Sequence, residues 1–247
     1  MPAKTNQNKI AWISILQAIT IAAVIIGHID LAGDMNPKYP IACWIERFQA
    51  FQMPVFFFIS GFLYVRSSLY NKSFKELIIS KWWRLGIPFL FMSILMYAFK
   101  LCLPPSTLEH PVSLSFKYAL NIIFVPWDGP VPHIWFLMTL FIYFLLTPLY
   151  KLTFKNIYSI VFTIVILILV TKIPQLLPYD FNNNILCLRK NCYYGLYFYL
   201  GMLAYNYNFV KLCQNFYILF ASAILYTIGI IYNYGGRLLI MLVVLYY

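Results

Sequence analysis

Acidic residues are scarce: there are 7 Asp and Glu among 247 residues, against 18 Lys and Arg. Charged side chains together make up only 10% of the chain, where soluble domains carry roughly a quarter. A soluble core of this length could not hide the remaining apolar surface, and leaving it in water would cause aggregation. The deficit therefore excludes an ordinary soluble protein. Cysteine is also sparse, and no C-x2-C pair exists among Cys43, Cys102, Cys187, Cys192 and Cys213, so no metal site is expected. Cys187 and Cys192 are close enough in sequence to pair if their loop faces an oxidising compartment; free apolar thiols are the simpler reading. There is no internal repeat, no low-complexity tract, and no A-x-A cleavage site after the first apolar run. That run is longer than a signal-peptide core, so it is read as a retained span.

What the chain does have is apolar and aromatic mass. Hydrophobic residues reach 62% and aromatics 20%, with a mean hydropathy of +0.76. Many Tyr and Trp stand near the ends of apolar runs, where interfacial belts form. The net charge of +11 does not indicate a nucleic-acid partner, because the basic residues are scattered between apolar runs, as loop charges that set orientation are.

A helix needs about 20 apolar residues to cross the bilayer core. That ruler gives spans near Ile10–Ile29, Phe48–Tyr64, Leu85–Leu103, Ile134–Tyr150, Ile157–Val170, Tyr193–Tyr207 and Phe216–Tyr232, with a shorter apolar end at Leu238–Tyr247. Between spans three and four lies a Pro-rich connection whose Ser115–Val125 part reads as a short interfacial or re-entrant helix. The fold class is thus all-α, a polytopic transmembrane helical protein of about seven to eight spans. Arg66, Lys72, Lys75, Lys81 and Arg84 fill one short loop, and Lys4, Lys9, Lys151, Lys155 and Lys211 share its side. The opposite side holds Lys38, Arg47, Lys117, Lys172, Arg189, Lys190 and Arg237, mostly in longer loops. The bias puts the N-terminus in the cytoplasm.

Polar groups inside spans are costly and need a reason. Span one carries Ser14, Gln17, Thr20 and His28. At about 100° per residue, Gln17 and His28 fall on one face roughly 16 Å apart, with Ser14 nearby. A stripe ending in histidine suits the wall of a site, since imidazole can take a proton from a hydroxyl near neutral pH. A boundary histidine without a task fits the same position. Pro54 interrupts span two, and Ser60-Gly61 would permit close helix approach, for which packing is the favoured reading.

The stretch Phe51-Gln52-Met53-Pro54-Val55-Phe56-Phe57-Phe58-Ile59-Ser60-Gly61-Phe62 resembles a signature of the acyltransferase 3 family of polytopic membrane enzymes. Ile15-Leu16-Gln17-Ala18 followed by Gly27-His28, Lys81-Trp82-Trp83-Arg84-Leu85-Gly86-Ile87-Pro88, His133-Ile134-Trp135-Phe136-Leu137 and Tyr197-Phe198-Tyr199-Leu200-Gly201 resemble its further motifs, in the family's order. The resemblance implies transfer of an acyl group, often acetyl, from cytoplasmic acyl-CoA to a hydroxyl of a surface or exported glycan, in the cytoplasmic (inner) membrane of a bacterium. It implies His28 as the catalytic base. Gln17, at the place of the family's arginine, would face the acyl-CoA donor. By position, Arg66, Lys81 and Arg84 could hold the donor's phosphates or serve only as positive-inside charges. Glu46 or Asp30 could orient the base, and Trp135 and His133 could meet the acceptor, His133 otherwise simply beginning a helix near the interface. Acyl-CoA would be a substrate, with no permanently bound cofactor. The partners would be the lipid bilayer, acyl-CoA and a glycan.

Two departures stand out. Gln17 occupies the place of the family's arginine, and Ser14 that of an aspartate often found there. Glutamine offers a neutral hydrogen bond where arginine offers charge and a bidentate fork. The chain also stops near seven spans where the family has about ten. The expectation is one membrane-embedded acyltransferase-3-like domain over residues 1–247, incomplete at its C-terminus, with a homo-oligomer or a separate C-terminal segment as a further partner. The competing expectation is a degenerate, non-catalytic member that binds or transports a lipid or glycan.

Overall fold

A computed structural model describes residues 11–28, 40–108, 112–126, 129–177 and 185–208, and the described residues are helical with short connections and no strand. In chain order the helices are α1 (Ala11–His28), α2 (Pro40–Arg66), α3 (Phe74–Lys81), α4 (Ile87–Leu101), α5 (Phe116–Phe124), α6 (Trp135–Thr153), α7 (Ile157–Val170), α8 (Ile173–Leu176) and α9 (Leu188–Asn206). A π-helical turn, Trp82–Gly86, joins α3 to α4, making one continuous helix from Phe74 to Leu101. Spans expected beyond residue 208, and the Asn182–Asn184 loop, lie outside the described residues.

Three helices among the described residues are long and apolar enough to cross a membrane: Phe74–Leu101, Trp135–Thr153 and Ile157–Leu176. At 1.5 Å per residue, the shortest is about 28 Å long, close to the bilayer core. The apolar-run ruler places α7 well and misses several helix starts. Span two was expected from Phe48, and its helix begins at Pro40; span three was expected from Leu85, and its helix begins at Phe74. The reason is local. Pro suits a helix's first turn because it has no N–H to leave unpaired. Ser73 and Glu76 form a reciprocal capping box: the Ser73 N–H donates to Glu76 Oε2 at 3.0 Å and the Glu76 N–H to Ser73 Oγ at 3.3 Å. Caps start helices wherever their chemistry stands, well before the lipid-crossing part begins. The expected short helix after Ser115 is present as α5, with the Tyr118 N–H donating to Ser115 Oγ at 3.1 Å.

The chain divides into two compact units, residues 1–67 with 197–247, and residues 68–196. In the first, α1 packs on α2 through Ile13 and Leu16 against Val55, Phe58, Ile59 and Phe62, with Ala204 from the end of α9 completing the cluster. Here α2 and α9 meet through two glycines. A Cβ on Gly61 would stand 2.1 Å from the Phe198 carbonyl oxygen, and one on Gly201 would stand 2.0 Å from that of Phe58. Only hydrogen at both positions allows the backbones to touch. The packing reading of Ser60-Gly61 holds.

In the second unit, α3, the π turn and α4 lie against α6: Lys81 Nζ sits 3.7 Å from the Phe144 ring centroid, and the Trp82 and Phe141 rings are 5.8 Å apart. Tyr97 of α4 stacks on Tyr118 of α5 at 5.2 Å. The start of α9 packs on α6 and α7 near Gly195, whose absent Cβ would meet only side chains, none closer than 3.6 Å. Most of α7 is uncovered, with Ile160 its one buried residue.

Candidate functional site

In the first unit, the buried face of α1 holds Ile13, Leu16 and Thr20, and the Thr20 hydroxyl donates to its own helix at the Leu16 carbonyl, 2.7 Å away. Ser14 and Gln17 are exposed. Four residues place Gln17 about 40° around the helix from Ile13, on the shoulder of the buried face. His28 is the last residue of α1; its side chain lies outside the described residues. So does the side chain of Glu46, which is on α2, and the whole of Asp30. Arg66 occupies the last turn of α2 and is half-buried. Another polar group on α2 was missed by sequence reasoning. Gln52 Oε1 is buried without a hydrogen-bond partner among the described residues, two residues before Pro54, which has no N–H to give the carbonyl one turn back.

In the second unit, Lys81 and Arg84 flank the start of the π turn. Lys81 is half-buried with its ammonium over the Phe144 ring, while Arg84 is exposed. A π turn inserts one residue into the helical register, and such insertions are frequent at functional sites. His133 is exposed in the short turn Pro132–Ile134 that leads into α6. Trp135, the first residue of α6, is buried and stacks on Tyr194 at 5.7 Å, with Lys190 Nζ 5.3 Å from its ring.

From Trp135 a polar seam continues along α6 at one-turn spacing through Thr139, Tyr143 and Thr147, all buried. The Tyr143 hydroxyl donates to the Asn191 carbonyl at 2.8 Å. The Asn191 amide donates to the Leu186 carbonyl at 2.6 Å and leaves Oδ1 buried without a partner. Thr139 is fully buried, and its hydroxyl has no partner among the described residues either. That is unusual chemistry for this protein. Thr20, Ser60, Thr147 and Thr163 each return their hydroxyl to a carbonyl of their own helix. Leu186 and Cys187 adopt left-handed backbone with φ of 46° and 55°, a costly conformation for side chains of this kind. Cys187 and Cys192 are both buried and are not joined to each other by a disulfide, as the simpler reading of them expected. An i, i+4 run of Trp, Thr, Tyr and Thr on an otherwise apolar helix was the available sequence signal for this seam.

The structure therefore gathers Trp135, Tyr143, Asn191 and Tyr194 into one seam and places Lys81 and Arg84 at the π turn. Gln17 and Arg66 belong to the other unit. Among the described residues, no three His, Cys, Asp or Glu come together to hold a metal ion. A family model described as an acyltransferase domain matches residues 10–246. No curated protein and no solved structure gives a match.

Proposed function

The chain belongs to the acyltransferase 3 family, and from that premise we propose that it is a membrane-bound O-acyltransferase carrying an acyl group from acyl-CoA to a hydroxyl of a surface or exported glycan. The observation that carries the reading is the extent of the family match, residues 10–246 of a chain of 247. In this reading the enzyme is a multi-pass protein of the bacterial inner membrane, with about seven to eight spans and a cytoplasmic N-terminus.

The reaction follows from the groups available. Neutral His28 accepts the proton of an acceptor hydroxyl as its oxygen attacks the thioester carbonyl. The new C–O bond forms, the C–S bond breaks, and the coenzyme leaves as a thiolate that takes the proton back from the imidazolium. Arg66, Lys81 and Arg84 offer cations to the donor's phosphates, and Gln17 a neutral hydrogen bond. Asp30 or Glu46 orients the base; His133 and Trp135 meet the acceptor. Trp135 stacked on Tyr194 supports that role, since aromatic faces beside hydroxyl and amide groups suit sugars.

Incorporation of labelled acyl groups into membrane glycans tests the reading, with variants compared at equal membrane levels. His28→Ala is expected to lose about 10²–10⁴-fold, and His133→Ala less. Transfer at the parental rate by His28→Ala would remove the proposed base. Gln17 favours a second reading, a family member that binds without transferring, and an inactive parent with every donor tried would put that reading ahead. Gln17→Arg sharpens the choice. Restoring a charge-assisted phosphate contact should tighten acyl-CoA binding about tenfold or more, and unchanged binding would take Gln17 away from the phosphates.

A further inference from the structure

Between the π turn, α4, α5 and α6 the second unit contains a partly enclosed pocket of about 70 Å³. Trp82, Gly86 and Phe89 form one wall, Ile123 another, and Met138 and Phe141 a third; every lining residue is apolar or aromatic. The wall begins one residue after Lys81 and includes the turn that carries Arg84. Phe141 lies one turn before Phe144, over whose ring the Lys81 ammonium sits.

Gly86 shapes the opening. A Cβ there would stand 2.4 Å from the Trp82 ring, so the glycine lets the indole fold back along its own helix. Positions 82 and 86 are four residues apart, about one turn, so they stand on the same face of the helix.

The geometry points to this pocket as the seat of the donor's acyl group, with room for a short chain only. The inference rests on the acyltransferase reading above and adds the place and size of the group transferred. Three observations select the occupant. The wall offers no polar partner, so a sugar hydroxyl placed there would lose its hydrogen bonds to water without replacement. The Lys81 ammonium sits over Phe144, one turn along α6 from the wall residue Phe141, a nearby cation that an anionic thioester donor requires and a plain hydrocarbon does not. The volume is about half that of an apolar cavity known to hold benzene, hence room for about three carbon atoms. A phospholipid chain is several times too long.

The test uses the full chain in nanodiscs and a propionyl-CoA analogue whose terminal carbon is a diazirine. On illumination, crosslinks are expected on peptides containing Trp82–Leu90 or Leu137–Phe141, competed by acetyl-CoA and not by added phospholipid. Met138→Ala, which enlarges the pocket, should raise affinity for hexanoyl-CoA relative to acetyl-CoA about tenfold, as burial of two more methylenes would. Leu137→Ala is a second enlarging variant should Met138→Ala fail to fold. Crosslinks elsewhere, competition by phospholipid alone, or an unchanged chain-length preference in both variants would overturn the inference. The two failures are separable. Specific crosslinking without transfer to any acceptor would sink the acyltransferase reading and leave the pocket standing; transfer with no pocket crosslink would do the reverse.

Discussion

The two units of this protein use glycine in opposite ways. At Gly61 and Gly201 the neighbours are backbone carbonyls about 2 Å from where a methyl would stand, and each glycine faces the other's helix. At Gly195 the neighbours are Tyr143, Tyr150 and Leu167 side chains at ordinary contact distance. The first unit is built on contact between main chains, which no rotamer change can relax. The second is built from side chains that can give, and it holds the pocket, the π turn, the left-handed pair Leu186 and Cys187, and two of the three buried polar atoms that lack a partner among the described residues, Gln52 Oε1 of the first unit being the third. Rigidity and unsatisfied chemistry are thus distributed unevenly between the two.

The largest expected effect comes from adding a methyl at the backbone contacts. Gly61→Ala or Gly201→Ala should each cost about 3 kcal/mol or more, because the helices must part. Folded yield in detergent and resistance to protease would record it. Gly195→Ala should be neutral or stabilising by up to about 1 kcal/mol, its new Cβ meeting only ordinary contacts and its helix gaining propensity. Equal losses at all three positions would erase the distinction.

Next in size is Tyr143→Phe, which removes the hydroxyl that bonds to the Asn191 carbonyl. A loss of about 1 kcal/mol in thermal stability is expected; no loss would mean that the seam does not depend on this bond. Smaller again is Thr139→Val. Its hydroxyl is buried without a partner, so removing it should leave stability unchanged or improve it by up to about 1 kcal/mol. A marked loss would show that a partner outside the described residues occupies that hydroxyl. The smallest effect belongs to α7, where Tyr158 is 82% and Phe162 66% exposed. Tyr158→Ala and Phe162→Ala should each shift stability by less than about 0.5 kcal/mol, since in a membrane protein these side chains exchange one apolar neighbour for another.

Apolar runs made the helical class readable, and the order of the motifs made the family readable. The Ser60-Gly61 approach was also legible, because small residues in an apolar helix have few other uses. Helix starts were not, since Ser73 with Glu76 and the early Pro40 extend helices into sequence that a hydropathy ruler passes over. The seam was overlooked for a different reason. Thr139 and Tyr143 look like ordinary members of an apolar span until Asn191, nearly fifty residues away, is placed beside them. A lone histidine on a first helix drew notice by its type, whereas the unpaired Thr139 hydroxyl is visible only once its neighbours are known.

The glycine crossing also has a schedule. Gly61 and Gly201 are separated by about 140 residues, and all of the second unit lies between them in the chain. At a synthesis rate of roughly 5–20 residues per second, roughly 7–30 s pass between making one half of the contact and making the other. Throughout that interval the flat strip of α2 around Gly61 is without its partner helix. The first unit is begun first and completed last, so its assembly waits on the ribosome, and any slowing of translation before Gly201 lengthens the time that α2 spends with that strip uncovered.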